Sequence, residues 1–424
     1  MGDRALRVAV VGRSVYSLHG FGGLERHLYD LVRYHLADGW YVTLITRTPE
    51  RTEGVDPNRW REIADHPRCT VRYVPYHTFP LAGRRGTTII DRSTAYPWFG
   101  ARAGEAALGL VKSGHIDVVY GVGASVYGYA RARARHAASA PLVFNPQGLE
   151  EFGGADGSYG GQPLKALGYL PLRRVVRKTA AGADAVIATD ASIEPAVLAH
   201  LPVPRSRVRL VPNGLDVSDG DRLVSRDAGL ARRITHRIGK DEVLLLSVGR
   251  LEANKGFADL ADALAGLQSP AAWRWVVAGE GPMRAALERR IAERGLSGRT
   301  ILAGRVDDAT LHGWYEAANL FVHPTRYEGS SLVTLEAMLH ARPVVATRAG
   351  GLPDKVIPGQ TGWLAPASDP GALGTALSEA FAERTRWPEM GRAGRELLEH
   401  RFDWRVIQVK FRDLYEELIS AQRA

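Results

Sequence analysis

A single cysteine, Cys69, stands in a chain of 424 residues. That excludes an intrachain disulfide and any metal cluster built on thiolates. No window offers the uninterrupted apolar run that a membrane-spanning helix needs. The opening MGDRALRVAVVG runs straight into a short apolar segment, without the charged-then-apolar layout of a secretory leader. Low-complexity tracts and short-period repeats are missing too. A cytoplasmic, folded protein is the expectation. At this length one ordinary core does not suffice, so two domains are expected.

What is present is unevenly spread. Residues 1–213 hold 27 Lys+Arg against 18 Asp+Glu, whereas residues 214–424 hold 28 of each, so the first half carries the whole net charge of +9. Its basic residues gather at Arg84-Arg85, at Arg131, Arg133 and Arg135, and in RRVVRK from Arg173 to Lys178. Such asymmetry points the first half at something anionic: a phospholipid surface, a lipid-diphosphate acceptor or nucleic acid. An arginine-rich solvated surface is the plainer alternative.

Short apolar runs alternate with helical stretches, the mark of βα units around parallel sheets. Strands are expected at 7–12, 41–46, 70–75, 117–122, 141–146 and 185–190, then at 243–249, 273–279, 300–304, 320–324, 343–347 and 362–365. Two doubly wound α/β domains follow, at 1–207 and 208–401, with VRLVPNGLDVSDGDRL (208–223) as the crossing. Ligands of such sheets bind beyond the carboxyl ends of the strands, and two domains facing each other would make a cleft.

Several strand ends carry suitable chemistry. After the first strand, Gly20, Gly22 and Gly23 precede a helix with apolar spacing Leu24, Leu28, Leu31, but GxGxxG does not follow the strand directly. Helix N-termini offer free N–H groups to an anion. SVGRLEANKGF (247–257) supplies Arg250 and Lys255, a pair suited to a diphosphate; a surface ion pair with Glu252 is the alternative. GEGPM (279–283), GRVDD (304–308) and EGSSL (328–332) mark the same rim. In the helix expected from SSLVTLE, Leu332, Leu335, Glu336 and Leu339 share one face. A carboxylate on that apolar stripe predicts a hydrogen-bond partner for Glu336 at a cleft edge, unless a slight turn of the helix puts it in water.

In order and spacing, GRLEANKGF, GEGP, GRV, YEGSSLVTLEAM and ARPVVAT through TGWL resemble the retaining glycosyltransferases of family 4, which have the GT-B fold of two Rossmann-like domains. Glu328 and Glu336, with seven residues between them, match that family's paired glutamates. GFGGLERHL resembles its N-terminal glycine loop, PNGLD (212–216) its inter-domain segment, and FDWRVI (402–407) the start of a final helix, about 402–424, that crosses back onto the first domain. The resemblance implies that Glu336 binds the ribose hydroxyls. It implies that Glu328, Gly329, Ser330, Ser331 and Leu332 lie near the donor sugar and phosphate. Arg250 and Lys255 would be the diphosphate cations, Gly22 and Gly23 the loop over the phosphates, and Arg305 and Val306 the neighbours of the base. Catalytic weight would fall on Arg250, Lys255 and Glu328. The implied donor is a UDP-, GDP- or dTDP-sugar, and no metal or other cofactor is called for. The acidic DGD at Asp219 to Asp221 reads as a solvated turn and not as a metal motif.

One departure bears on catalysis. Many members carry a histidine after the fourth strand, yet none occurs here between His115 and His136. A histidine-dependent account therefore does not transfer. NPQGLEEFGG (145–154) places Gln147, Glu150 and Glu151 at the next strand end, for acceptor contacts or for loop capping. The acceptor implied is a glycan or a lipid-linked molecule, with the basic first half at an anionic inner membrane face. Nucleic acid is disfavoured, because the aromatics do not interleave with the basic clusters. The alternatives are a non-catalytic nucleotide-sugar-binding protein and a nucleotide-sugar epimerase.

Overall fold

The computed structural model describes residues 4–20, 22–49, 56–77, 88–133, 135, 139–153, 163–269 and 271–423. Arg84 and Arg85 lie outside them. The chain divides into two compact units: Met1–Asn213 with Trp404–Ala424, and Gly214–Asp403.

The first unit is built on seven parallel strands: β1 (Arg7–Val11), β2 (Tyr41–Arg47), β3 (Cys69–Val74), β4 (Val118–Val122), β5 (Leu142–Asn145), β6 (Ala185–Ala188) and β7 (Val208–Leu210). Their order is β3-β2-β1-β4-β5-β6-β7. β4, β5 and β6 are buried along their whole length, as strands covered on both faces must be. Because β7 pairs with β6 (Val186 opposite Val208), the sheet extends past 207 to include Val208–Leu210, and the division between the units falls after Asn213.

Helix α1 (Gly23–Ala37) and the last helix of the chain, Trp404–Arg423, pack on one face of that sheet. Trp404, Ile407, Phe411, Leu414 and Tyr415 from the last helix enter the same core as Val8, Val10 and Leu28. Polar ties fix the docking: His35 Nδ1 meets Gln408 Oε1 at 2.8 Å, and Asp38 accepts from Gln408 at 2.7 Å and Arg412 at 2.6 Å.

The second unit has six parallel strands in the order β10-β9-β8-β11-β12-β13: β8 (Val243–Val248), β9 (Trp273–Ala278), β10 (Thr300–Gly304), β11 (Leu320–His323), β12 (Val344–Thr347) and β13 (Gly362–Ala365). Every residue of VLLLSV in β8 is buried. Here strand order reverses between β8 and β11, and the crevice at such a reversal is where α/β sheets hold ligands. Three helices serve this rim: α2 (Phe257–Ala265) after β8, α3 (Asp308–Ala317) before β11, and α4 (Leu332–Leu339) after β11. The final helix is α5 (Trp404–Arg423).

The DGD segment is not the solvated turn expected. Asp216 caps a short helix, Val217–Asp221, by accepting from Asp219 N at 2.8 Å, and Asp221 pairs with Arg395 at 2.8 Å. A good N-cap three residues upstream of the first acid converts the run into a helical turn.

Candidate functional site

The loops that follow β8 and β11 are fastened to each other. Arg326 N donates to Asn254 O at 2.7 Å and Thr325 Oγ1 to the same oxygen at 3.0 Å. Asp259 on α2 takes both ends of the Arg326 guanidinium, at 2.7 and 2.5 Å. Gly256 must be glycine: its φ is +67°, and a Cβ there would sit 1.9 Å from Pro324 O.

This zipping delivers three charged or polar heads to one point. Lys255 Nζ lies 2.8 Å from Glu328 Oε2, and His323 Nε2 lies 2.9 Å from the same oxygen. Burial works against charge on Glu328, yet Lys255 and His323 hold its carboxyl down at about 2. Burial lowers His323 in turn, so a neutral ring donates Nε2–H to the carboxylate. His323 Nδ1 has no partner among the described residues.

Residues 329–331 lead from this cluster into α4. Ser331 is the N-cap, its hydroxyl accepting from Thr334 N at 3.3 Å. The loop is pressed against the turn after β12: Gly351 N donates to Gly329 O at 2.9 Å, and Gly350, at φ +50°, would place a Cβ 1.7 Å from Glu328 O. The result is a helix N-terminus with free N–H groups, next to a partly buried ion pair. That geometry suits an anion, and a diphosphate in particular.

Glu336 lies one turn further on, buried on the apolar side of α4 with Leu335 and Leu339. Its partner is Tyr315 on α3, whose hydroxyl lies 2.9 Å from Glu336 Oε2 and 3.1 Å from Val333 O. One hydroxyl proton serves two acceptors there. The Tyr315 ring stacks on His340 at 5.4 Å. His340 in turn contacts His312 and Glu316, each at 2.8 Å.

The remaining residues expected at the site are distributed. Arg250 is 76 % exposed and pairs with Glu252 at 3.0 Å, so it is not gathered into the Lys255 cluster. Arg305 and Val306 follow β10, with Val306 packed against the second unit's core. In the first unit Gly22 is the N-cap of α1 and Gly23 its first residue. A Cβ on Gly22 would lie 2.4 Å from Glu25 Oε2.

After β5 the backbone is strained, with Gln147 at φ +61° and Leu149 at φ +57°. Gln147 Nε2 is buried without a partner among the described residues. Glu150 is held by Arg92 and by Tyr169, at 3.2 Å from the tyrosine hydroxyl. Glu151 is buried, and desolvation pushes its carboxyl up to about 7. His323 and Tyr315 escaped the sequence reading. Only His323 left a trace, as a titratable residue ending a core strand.

The folds of solved glycosyltransferases match this arrangement. Sucrose-phosphate synthase from Thermosynechococcus elongatus superposes with a TM-score of 0.71 at 24 % identity, over 98 % of this chain and 100 % of that one. The Anabaena protein HepE in complex with UDP gives 0.70 at 18 % identity, over 98 % and 100 %. The architecture is that of a GT-B glycosyltransferase. Residues 21–219 match the family model described as Glycosyltransferase Family 4, and residues 242–383 the one described as Glycosyl transferases group 1. The chain belongs to glycosyltransferase family 4, and it is a transferase enzyme. Glycogen synthase of Mycobacterium tuberculosis is 27 % identical over 395 residues, covering 93 % of this chain and 91 % of that protein. Lys255, Glu328 and Glu336 all fall within the second matched stretch.

Proposed function

We propose that the protein moves a hexose-type sugar from a nucleoside diphosphate sugar to a glycan or lipid-linked acceptor, with retention of anomeric configuration and without a metal ion. The observation that carries this reading is the ionised Glu328, clamped by Lys255 and His323 at the mouth of α4. In such a transfer the bond from C1 to the diphosphate oxygen breaks through an oxocarbenium-like state, and negative charge grows on the leaving group. Lys255 and the N–H groups of residues 329–331 are set where that charge would develop, so they stabilise departure more than binding. The acceptor oxygen then bonds to C1 on the same face, and its proton passes to the departing phosphate. No protein nucleophile is required, which suits a chain lacking histidine between 115 and 136.

Glu336 would hold the ribose hydroxyls, with the Tyr315 hydroxyl orienting the carboxylate through Oε2. HepE was solved with UDP bound, which supports a nucleotide donor for this chain. Gln147, at the strained turn after β5, would offer its amide to an acceptor hydroxyl. The charge of +9 on residues 1–213 supports an anionic acceptor or surface, although the fold employs part of it internally. Arg133 pairs with Asp184, Arg173 donates to Glu151 O at 2.7 Å, and Arg177 to His200 O at 2.9 Å. Among the described residues no helix is long and apolar enough to cross a membrane.

Calorimetry with UDP, GDP, ADP and dTDP in EDTA tests the donor site. One of them binds the wild type, and Glu336→Ala weakens it by about 1–3 kcal/mol, the worth of lost hydrogen bonds to a charged acceptor. Binding of none, or only with added metal, refutes the reading. The anomeric configuration of the product, read by NMR, decides retention.

A further inference from the structure

A second concentration of charge lies on the second unit, away from the loops after β8 and β11. The helix Arg226–Thr235 packs against α3, and Gly229 permits the approach: a Cβ there would sit 2.8 Å from Glu316 Cβ. Arg226, Gly229, Leu230 and Arg233 fall at i, i+3, i+4 and i+7, so they share one face of that helix. With Glu316 of α3 and Arg342, they line a surface cavity of about 350 Å³. Glu316 lies just before β11 and Arg342 just before β12, which puts the cavity at the amino ends of those strands. Lys255, Glu328 and the start of α4 follow the carboxyl ends of β8 and β11.

The charges in this lining do not balance. Three arginines face one glutamate, a net charge of +2. The Glu316 carboxylate is already held, by His340 Nδ1 at 2.8 Å and Arg342 at 3.4 Å. Arg233 gives its hydrogen bonds to neutral oxygens: Ala317 O and Gly239 O at 2.9 Å, Glu242 O at 3.1 Å and Asn319 Oδ1 at 2.6 Å. Arg342 Nε is buried without a partner among the described residues. Arg226 is exposed and makes no hydrogen bond or ion pair among them. Burial lowers Arg342 below the ordinary arginine value, Glu316 pulls it back, and Arg226 adds to the lowering. Burial lowers Arg233 as well, and there Arg342 is the repelling neighbour. An anion set between these guanidinium groups offsets the repulsion and accepts from their unused N–H groups.

We propose that this cavity binds a small phosphate monoester, at the end of the sheet opposite the donor site and independently of it. At neutral pH such an ester carries about −1.5 to −2 charge, which matches the lining, and its oxygens fit guanidinium forks. A lone carboxylate would leave half of the positive charge uncompensated. Leu230, 57 % exposed, offers an apolar wall to the organic part of the ester. The volume is that of a small-molecule pocket.

Calorimetric titration of the full chain with phenyl phosphate tests this, in wild type, Arg226→Glu and Arg289→Glu. Arg226 is exposed and holds nothing in place, so its substitution leaves the fold intact. Arg289, exposed on the helix Arg284–Glu293 of the same unit, controls for net charge. Phenyl phosphate binds wild type, Arg226→Glu weakens it about tenfold or more, and Arg289→Glu leaves it unchanged. Inorganic phosphate, lacking a group to lie on Leu230, binds wild type several-fold more weakly than the ester. No binding to wild type overturns the proposal, and so does inorganic phosphate binding as tightly as the ester. Equal losses in the two variants mark unspecific attraction to charge and overturn it as well. Unchanged binding in Arg226→Glu does the same, by sending the phosphate elsewhere, the donor rim included.

Discussion

The two sheets present their carboxyl ends in opposite electrostatic styles. Beyond β11 of the second unit, a partly buried carboxylate is kept ionised by a lysine and a histidine. Beyond β5 of the first unit, a buried carboxylate, Glu151, is pushed toward its neutral form, and its neighbour Glu150 is tied up by Arg92. Backbone differs as well. The turn after β5 holds two non-glycine residues, Gln147 and Leu149, at positive φ, whereas the loops after β8 and β12 use Gly256 and Gly350. A site made of compensated full charges is organised before any ligand arrives, and suits a partner of fixed charge such as a diphosphate. A site made of strain, an unpartnered amide and a near-neutral acid suits neutral hydroxyls.

The sharpest way to break that contrast is Lys255→Met. It strips Glu328 of its cation and removes the charge facing a leaving diphosphate, so kcat/KM for the donor falls by about two to three orders of magnitude. Stability moves with it. A carboxyl held at about 2 contributes stability present above the ordinary 4.5 and lost only as pH falls toward 2, so wild type keeps this contribution throughout the neutral range. Lys255→Met forfeits it, and Lys255→Met/Glu328→Gln regains folding but not turnover. Recovery of activity in the double variant contradicts the electrostatic role.

Glu151 gives the mirror image. Its carboxyl is raised from 4.5 to about 7, so the fold pays nothing below 4.5 and loses stability as pH climbs through 7. Glu151→Gln therefore leaves the unfolding free energy measured in urea unchanged near pH 4 and raises it at pH 8, by about 1–3 kcal/mol. A pH-independent difference between the two proteins removes Glu151 as the cause.

Smaller effects sharpen the comparison further. Tyr315→Phe deletes the hydroxyl that holds Glu336 and weakens nucleoside binding by about 1 kcal/mol, leaving inorganic pyrophosphate competition as it was. Least in size is the surface effect of the basic half. The protein sediments with vesicles rich in anionic lipid at low salt and comes off at high salt. Equal sedimentation with neutral vesicles excludes charge as the attraction.

How far the fold could be read from the chain depended on periodicity. The strands flanking both reversal points are short, nearly continuous apolar runs, so RVAVV, VLLLSV and LFVH announce themselves. Glu336 was legible for the opposite reason, as one acid on a stripe of leucines. β7 was missed as a member of the first sheet because VRL is three residues long and only half covered. The Lys255–Glu328 pair joins residues 73 apart and Lys355–Ser330 residues 25 apart; no local pattern carries such a distance. Arg250 shows the converse. Its position beside Lys255 in sequence promised a pair of cations, and rotamer freedom on an exposed chain gave it to Glu252 instead.

The placement of α5 has a consequence for synthesis. Its tryptophan, phenylalanine and tyrosine complete a core begun by β1 near the other end of the chain. A ribosome that has made residues 4–213 has produced a sheet with one face covered only in part, by α1. The second unit is finished and able to fold nearly a helix length earlier in translation than the first, although it is encoded later. During that interval the nascent chain shows an apolar face that only its own last segment can close, which makes the first unit the one to watch for chaperone dependence and for failure in truncated messages.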